Sequence, residues 1–210
     1  MNFFDAVTSR KPVKKYEDKK VDDKFIGVML YMANQAESAG DLQAWEFVVV
    51  KNEDVKKKLY EAALKLDVVK NAPVDIVVCA DLRKFSMKYH ERGEYLYSIQ
   101  DTASAITVMM ITAEILGLGT NWVRAFDEDK VKQILSLPPD IRPVGILTVG
   151  YPTIKVETKR KTEYENLAWL DNYKSKYPLS YMFQHGAVKW EEGFKPIGNQ
   201  IIDKIKKKGK

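Results

Sequence analysis

The order of apolar and polar positions divides the chain into alternating helical and extended segments. Asn2 to Val7 reads as a short helix, and a basic segment from Arg10 to Lys15 follows it. Asp22 is placed to cap a helix in which Phe25, Val28, Met29, Met32, Ala33 and Ala36 recur at the spacing of one helical face. A polar loop, Glu37 to Asp41, ends that helix. Trp45 to Val50 reads as a strand, and Asp54 opens an amphipathic helix ending near Leu66. Asn71-Ala72-Pro73 then turns the chain into a buried strand, Val74 to Ala80, rich in β-branched residues.

Glu94 to Leu116 reads as one long helix. Ile99, Ala103, Ile106, Met109, Met110 and Ala113 give it a broad apolar face, suited to the middle of a core or to a dimer seam, and Gly117 can take the left-handed stop. Thr120 to Val123 is a short strand, and Asp127 caps a helix to Leu135. Pro138-Pro139 breaks that helix before a last core strand, Pro143 to Val149. Helices alternating with short strands predict an α/β or α+β fold with helices on both faces of a sheet. From Tyr151 onward the chain is charged, aromatic and irregular, an extension of the kind that wraps a neighbour. No domain boundary is visible before about residue 155.

Composition narrows the chemistry. The 210 residues are 45% hydrophobic and 30% charged, as in an ordinary globular chain. No uncharged run exceeds twelve residues, whereas a spanning helix needs about 20 apolar ones. No signal peptide is read in MNFFDAVTSRK, so a cytoplasmic location without membrane contact is expected. The net charge of +5 sits in Lys204, Lys206, Lys207, Lys208 and Lys210; without them 29 basic residues face 29 acidic ones. That describes a solvated tail, and no nucleic-acid face is expected. The single Cys79 excludes an internal disulfide and reads as a small core residue, while His90 and His185 are too far apart in sequence to suggest a metal site. P-loop, zincin and hydrolase-elbow motifs are missing, and the one GxG, Gly117-Leu118-Gly119, closes a helix instead of opening one. With no self-contained nucleophile or metal, an organic cofactor is left to carry any chemistry.

Several stretches occur together in a telling order. They are Ser9 to Tyr16 (SRKPVKKY), Ala36 to Phe47 (AESAGDLQAWEF), Asn71 to Asp81 (NAPVDIVVCAD), and Gln100-Asp101 through Gly117-Leu118-Gly119-Thr120-Asn121-Trp122 to Phe126-Asp127. Leu137-Pro138-Pro139 and Val149-Gly150-Tyr151-Pro152 continue the series. In these motifs the chain resembles the FMN-dependent nitroreductase family over about residues 3–165.

The resemblance implies an α+β fold with a mixed central sheet flanked by helices, and a homodimer with FMN at the subunit interface. It divides the chain into an FMN-binding domain, 1–165, and an extension with a basic tail, 166–210, packing on the same domain or on the dimer partner. Arg10, Lys11 and Lys14 fall where the family holds the FMN phosphate, and Arg160 and Lys161 match a later basic pair closing on the same group. Ser38 and Gln43 occupy positions that touch the ribityl chain or flavin ring, often across the dimer. Arg124 and Ala125 would offer backbone N–H groups to the flavin N5–O4 edge. Phe85, Tyr89 and Tyr95 stand where the family builds a variable lid. Pro12, Asp41 and Ala44 depart from the usual Ser, Asn and Pro. The implied activity is hydride transfer from NADH or NADPH to a flat acceptor such as a nitroaromatic or quinone, with ping-pong kinetics and no catalytic side chain. A non-catalytic FMN store or sensor, a relative using reduced flavin for dehalogenation or flavin fragmentation, and a flavin-free interaction protein using the basic tail remain alternatives.

Overall fold

In a computed structural model of the chain, residues 1–157, 161–162 and 166–176 are described. Met1–Thr158 form one compact unit and Lys159–Lys210 a second. The first contains α1 (Phe3–Ser9), β1 (Val13–Tyr16), α2 (Asp23–Ala33), β2 (Trp45–Val50), α3 (Glu53–Ala62), α4 (Asp67–Asn71) and β3 (Val74–Asp81). It continues with α5 (Leu82–Arg92), α6 (Ser98–Ile115), β4 (Gly119–Val123), α7 (Glu128–Leu135), β5 (Ile141–Gly150) and β6 (Pro152–Lys155). In the second unit, Leu170 N–H bonds the Ser175 carbonyl at 2.7 Å and the Trp169 and Tyr173 rings meet edge-on at 5.4 Å.

The main sheet runs β2-β3-β5-β4. Every described pairing is antiparallel, where the family resemblance implied a mixed sheet. The reason lies in the connections. A single helix between β2 and β3 would carry the chain to the far end of the sheet and favour a parallel partner. Instead, Leu64 and Lys65 take left-handed φ values of 54° and 58°. They follow the end of α3 at Ala62, short of the expected end near Leu66, and a further helix, α4, comes after them; together α3 and α4 return the chain to the end where β2 finished.

Helices cover both faces. Ile76 and Val78 of β3 pack with Ile26 and Met29 of α2 and with Ile106 and Met109 of α6. Val77 and Cys79 face the other way, against Leu59 of α3, Val69 of α4 and Val131 of α7. All eight residues of β3 are buried, which explains its apolar run from Ile76 to Ala80. Burial pushes the Cys79 thiol up to about 12, with Glu46 adding to the shift, so it is an inert core residue. Asp75 is the exception within the strand: its carboxylate is buried and neither oxygen has a hydrogen-bond partner among the described residues. Burial raises its carboxyl well above the usual range and so favours the neutral acid; the charge of Lys56 opposes this and that of Glu53 adds to it.

The expected helix from Glu94 to Leu116 begins later, at Ser98. Its first turn is replaced by a π-helical turn, Gly93–Tyr97, that continues from α5. Gly93 sits against α5 so closely that a Cβ there would stand 2.5 Å from the Phe85 carbonyl oxygen. Leu116 caps α6 and Gly117 follows in the left-handed region at φ 76°, as the pattern predicts. No helix among the described residues is long and apolar enough to cross a membrane.

Candidate cofactor site

The basic segment is held from three sides. Asn2 and Asp5 form a capping box on α1, and the helix ends at Arg10, whose N–H donates to the Ala6 carbonyl at 3.1 Å. The chain then enters β1, which turns Val13 and Tyr16 inward and leaves Lys14 and Lys15 exposed. β1 pairs with β6, and Val156 N–H donates to the Pro12 carbonyl at 2.8 Å. Asn121 Nδ2 of β4 donates to the Val13 carbonyl at 2.8 Å. Gly119 is required beside it, because a Cβ there would collide with Val13. Arg10 and Lys11 are half-buried and Lys14 is exposed. Behind them lies Glu114 of α6, whose Oε1 accepts from Ser9 Oγ at 3.0 Å and from Lys155 Nζ at 2.8 Å.

Ser38 and Gln43 lie in a tight loop ahead of β2. Gly40, Asp41 and Gln43 all take left-handed φ values, 57°, 57° and 47°. Ser38 Oγ accepts from Gln43 N–H at 3.2 Å, and Gln43 Nε2 donates to Asp41 Oδ1 at 2.8 Å. Asp41, the departure from the family's Asn, therefore fixes the Gln43 amide. Asp101 of α6 holds the loop from beneath by accepting Ala39 N–H at 2.9 Å. Burial raises the Asp101 carboxyl above its ordinary value; the Ala39 hydrogen bond opposes this and the charge of Glu37 adds to it.

Helix α5 leans on the same loop. Lys88 Nζ donates to the Gly40 carbonyl at 2.9 Å, and a Cβ on Gly40 would strike both Lys88 and Tyr89. Tyr89 and Tyr97 stack edge-on at 5.0 Å. His90 interrupts the helix with φ 50° and ψ −143°, a conformation that costs a non-glycine residue energy. Of the three lid candidates, Tyr95 is 71% exposed, Tyr89 is half-buried, and Phe85 is fully buried against Ala44 and Ala80.

Arg124 and Ala125 are exposed where the chain leaves β4, with the Arg124 guanidinium 3.6 Å from the centroid of the Trp122 ring. Lys161 is exposed in the second unit. Arg160, His185 and the lysine tail lie outside the described residues.

Among the described residues of the first unit, one chain does not bring the basic segment and the 38–43 loop into a single site. The basic segment packs by the start of β4, whereas the 38–43 loop precedes β2, on the other edge of the sheet and at its other end. Their anchors, Asp101 and Glu114, lie on one helix; thirteen residues at 1.5 Å rise put them about 20 Å apart. Neither acid received a role from the sequence. Their signal was nonetheless present: they bound the uncharged run 102–113, so each is a lone charge at the end of an apolar stretch.

The model of the Nitroreductase family matches residues 7–66 and 63–151, and the chain belongs to that family. A protein of Methanothermobacter thermautotrophicus described as a candidate NADH dehydrogenase/NAD(P)H nitroreductase is 31% identical over 158 residues, covering 72% of this chain and 78% of that one. The FMN reductase (NADPH) of Bacillus subtilis is 25% identical over 164 residues, with 72% and 66% covered. The solved structure of NfrA2 from B. megaterium shares the fold with a TM-score of 0.77 at 23% identity, over 83% of this chain and 76% of that one.

Proposed function

We propose that this chain is an NAD(P)H-dependent FMN oxidoreductase that reduces a flat acceptor such as a nitroaromatic or a quinone, acting as a cytoplasmic homodimer. The observation that carries the reading is the basic segment itself. Arg10, Lys11 and Lys14 stand on a backbone tied down at Pro12 and Val13, which suits a phosphate monoester of charge about −1.5 to −2. The FMN reductase of B. subtilis among the relatives supports FMN as the group that brings this phosphate. Bound FMN supplies a ring that accepts hydride from the nicotinamide and passes electrons onward.

The chain's own residues bind and orient. Arg10 and Lys11 grip the phosphate with Lys14 at its outer side. The backbone N–H groups of Arg124 and Ala125 meet the edge of the ring where negative charge develops. The separation of about 20 Å between the two anchored segments supports completion of the site by a second copy, whose Ser38 and Gln43 reach the ribityl chain or ring. Exposed apolar side chains Phe3, Val7 and Ile115 near the basic segment suit that seam. Tyr89 and Tyr95 line the acceptor side and select among acceptors.

The test combines the visible spectrum of the purified protein with steady-state oxidation of NADH and NADPH at varied acceptor. The expected outcome is a yellow dimer with parallel double-reciprocal lines, because donor and acceptor take turns in one space. A flavin-loaded protein that does not turn over would be a store or sensor, and intersecting lines would end the shared-space reading.

A further inference from the structure

Glu114 has an address that α6 itself does not explain. Among the described residues it is the buried acid joined to the basic segment, 5% exposed, beside Ala113 and Leu118 in the apolar core. It lies in the last turn of α6, where the helix dipole disfavours a negative charge, and burial disfavours that charge further. An apolar residue would serve the helix better. What the carboxylate does is join two segments through one oxygen: Ser9, directly before Arg10, and Lys155, the register partner of Val13. The start of the run from Arg10 to Lys14 and the strand residue paired with Val13 are thereby fixed. The charge also counts. Arg10, Lys11, Lys14 and Lys15 crowd four cations into six residues, and they repel one another when no anion is bound.

We propose that Glu114 is the positioning residue of the phosphate-binding segment, holding Ser9 and Lys155 so that Arg10 and Lys11 meet the cofactor's phosphate already in place. This rests on the FMN reading above. Preorganisation of this kind raises affinity by removing an ordering cost from the binding step. The carboxylate touches neither cofactor nor acceptor in this role; it acts through Ser9 and the backbone of Arg10.

The test measures dissociation constants of FMN and riboflavin on the full chain, with thermal melting alongside. Replacing a buried ion pair by apolar residues of similar size often leaves stability unchanged or raised, so Glu114→Leu with Lys155→Met keeps the fold while removing the tie. That double variant is expected to weaken FMN about tenfold and riboflavin less than about twofold, an ordering cost exposed by its loss. Ser9→Ala, at an exposed position, should weaken FMN about threefold, and Glu114→Gln should recover most of the affinity because it keeps an acceptor for Ser9 Oγ. In the Arg10→Ala background the Glu114 changes should weaken FMN less than they do in wild type, since one of the two groups they position is gone. FMN affinity unchanged or tightened in both the double variant and Ser9→Ala would overturn the proposal, as would riboflavin falling in step with FMN. If wild type fails to prefer FMN over riboflavin, or Arg10→Ala leaves that preference intact, the phosphate-site reading fails first and takes this proposal with it. If both behave as proposed while the Glu114 variants match wild type, the positioning role alone fails.

Discussion

Asp101 and Glu114 are buried acids on the same helix, and each ties down one half of the candidate site, yet their electrostatic settings are opposite. Glu114 is compensated by a cation and a hydroxyl, on a segment pinned again at Pro12 and Val13. Asp101 has a single backbone N–H, and the nearby charge of Glu37 opposes its ionisation. The loop it holds contains three left-handed residues, two of them not glycine, and leans on a helix interrupted at His90. A rigid, neutralised end suits a cofactor phosphate that stays bound. A strained, uncompensated end suits the side that must admit and release flat molecules.

The largest effect expected lies in α5. Phe85 is fully buried and anchors α5 against Ala44 and Ala80. Phe85→Ala should therefore cost about 3–5 kcal/mol of stability, read by urea melts, whereas Tyr95→Ala should cost less than about 0.5 kcal/mol. Equal losses from both would mean that α5 is not anchored from beneath.

Next comes the rigid end. A hydrogen bond to a charged group contributes about 1.5–3 kcal/mol, so Arg10→Ala should weaken FMN by roughly 10- to 150-fold and leave riboflavin unchanged. Parallel loss of both ligands would place Arg10 in the fold and outside the phosphate site.

The two ends also differed in how far the sequence disclosed them. Asp22 and Asp127 cap helices as expected, and Trp45–Val50 and the buried β3 follow directly from apolar pattern. The fold class was legible because those signals are local. The split between α3 and α4 was not, since left-handed Leu64 and Lys65 carry no turn signature and both allow helix. Nor was α5, whose sequence resembles a polar loop until Phe85 is seen to be buried. At the site, the basic run and the 38–43 loop were visible as motifs. Their anchors were not, because a lone acid in an apolar stretch becomes meaningful only when its partner, 62 or 105 residues away, is known.

Asp101 offers a pH test of the uncompensated end. Its carboxyl is raised in the folded chain, so the folded state binds the proton more tightly than the unfolded state does. Its contribution then falls as pH rises from the ordinary Asp value through the raised one, and above that window the buried charge is a cost. Asp101→Asn keeps an acceptor for Ala39 N–H and removes the charge. At neutral pH it should raise the melting temperature by about 2–4 °C, an advantage that shrinks as the pH is lowered through the window. A variant less stable than wild type at neutral pH would show that the ionised carboxylate is needed there, and the contrast with Glu114 would collapse.

The smallest effect expected on stability, and the most specific on function, belongs to Lys88. Its ammonium makes one hydrogen bond to the Gly40 carbonyl at the exposed junction of α5 and the 38–43 loop. Exposed contacts of this sort contribute about 0–1 kcal/mol, so Lys88→Met should melt like wild type. The Gly40 carbonyl stays accessible to water, while the junction loses its direct tie between α5 and the 38–43 loop. If that junction governs which flat molecules enter, the ratio of kcat/KM between a bulky quinone and a small nitroaromatic should shift toward the bulky acceptor by about two- to fivefold, within the range that one pocket contact discriminates. FMN affinity should move less than acceptor preference, because Lys88 bonds the Gly40 carbonyl and not Ser38 or Gln43, the loop residues proposed to reach the cofactor. A change in FMN affinity with acceptor preference intact would assign α5 to the cofactor side and reverse the division of labour between the two ends of α6.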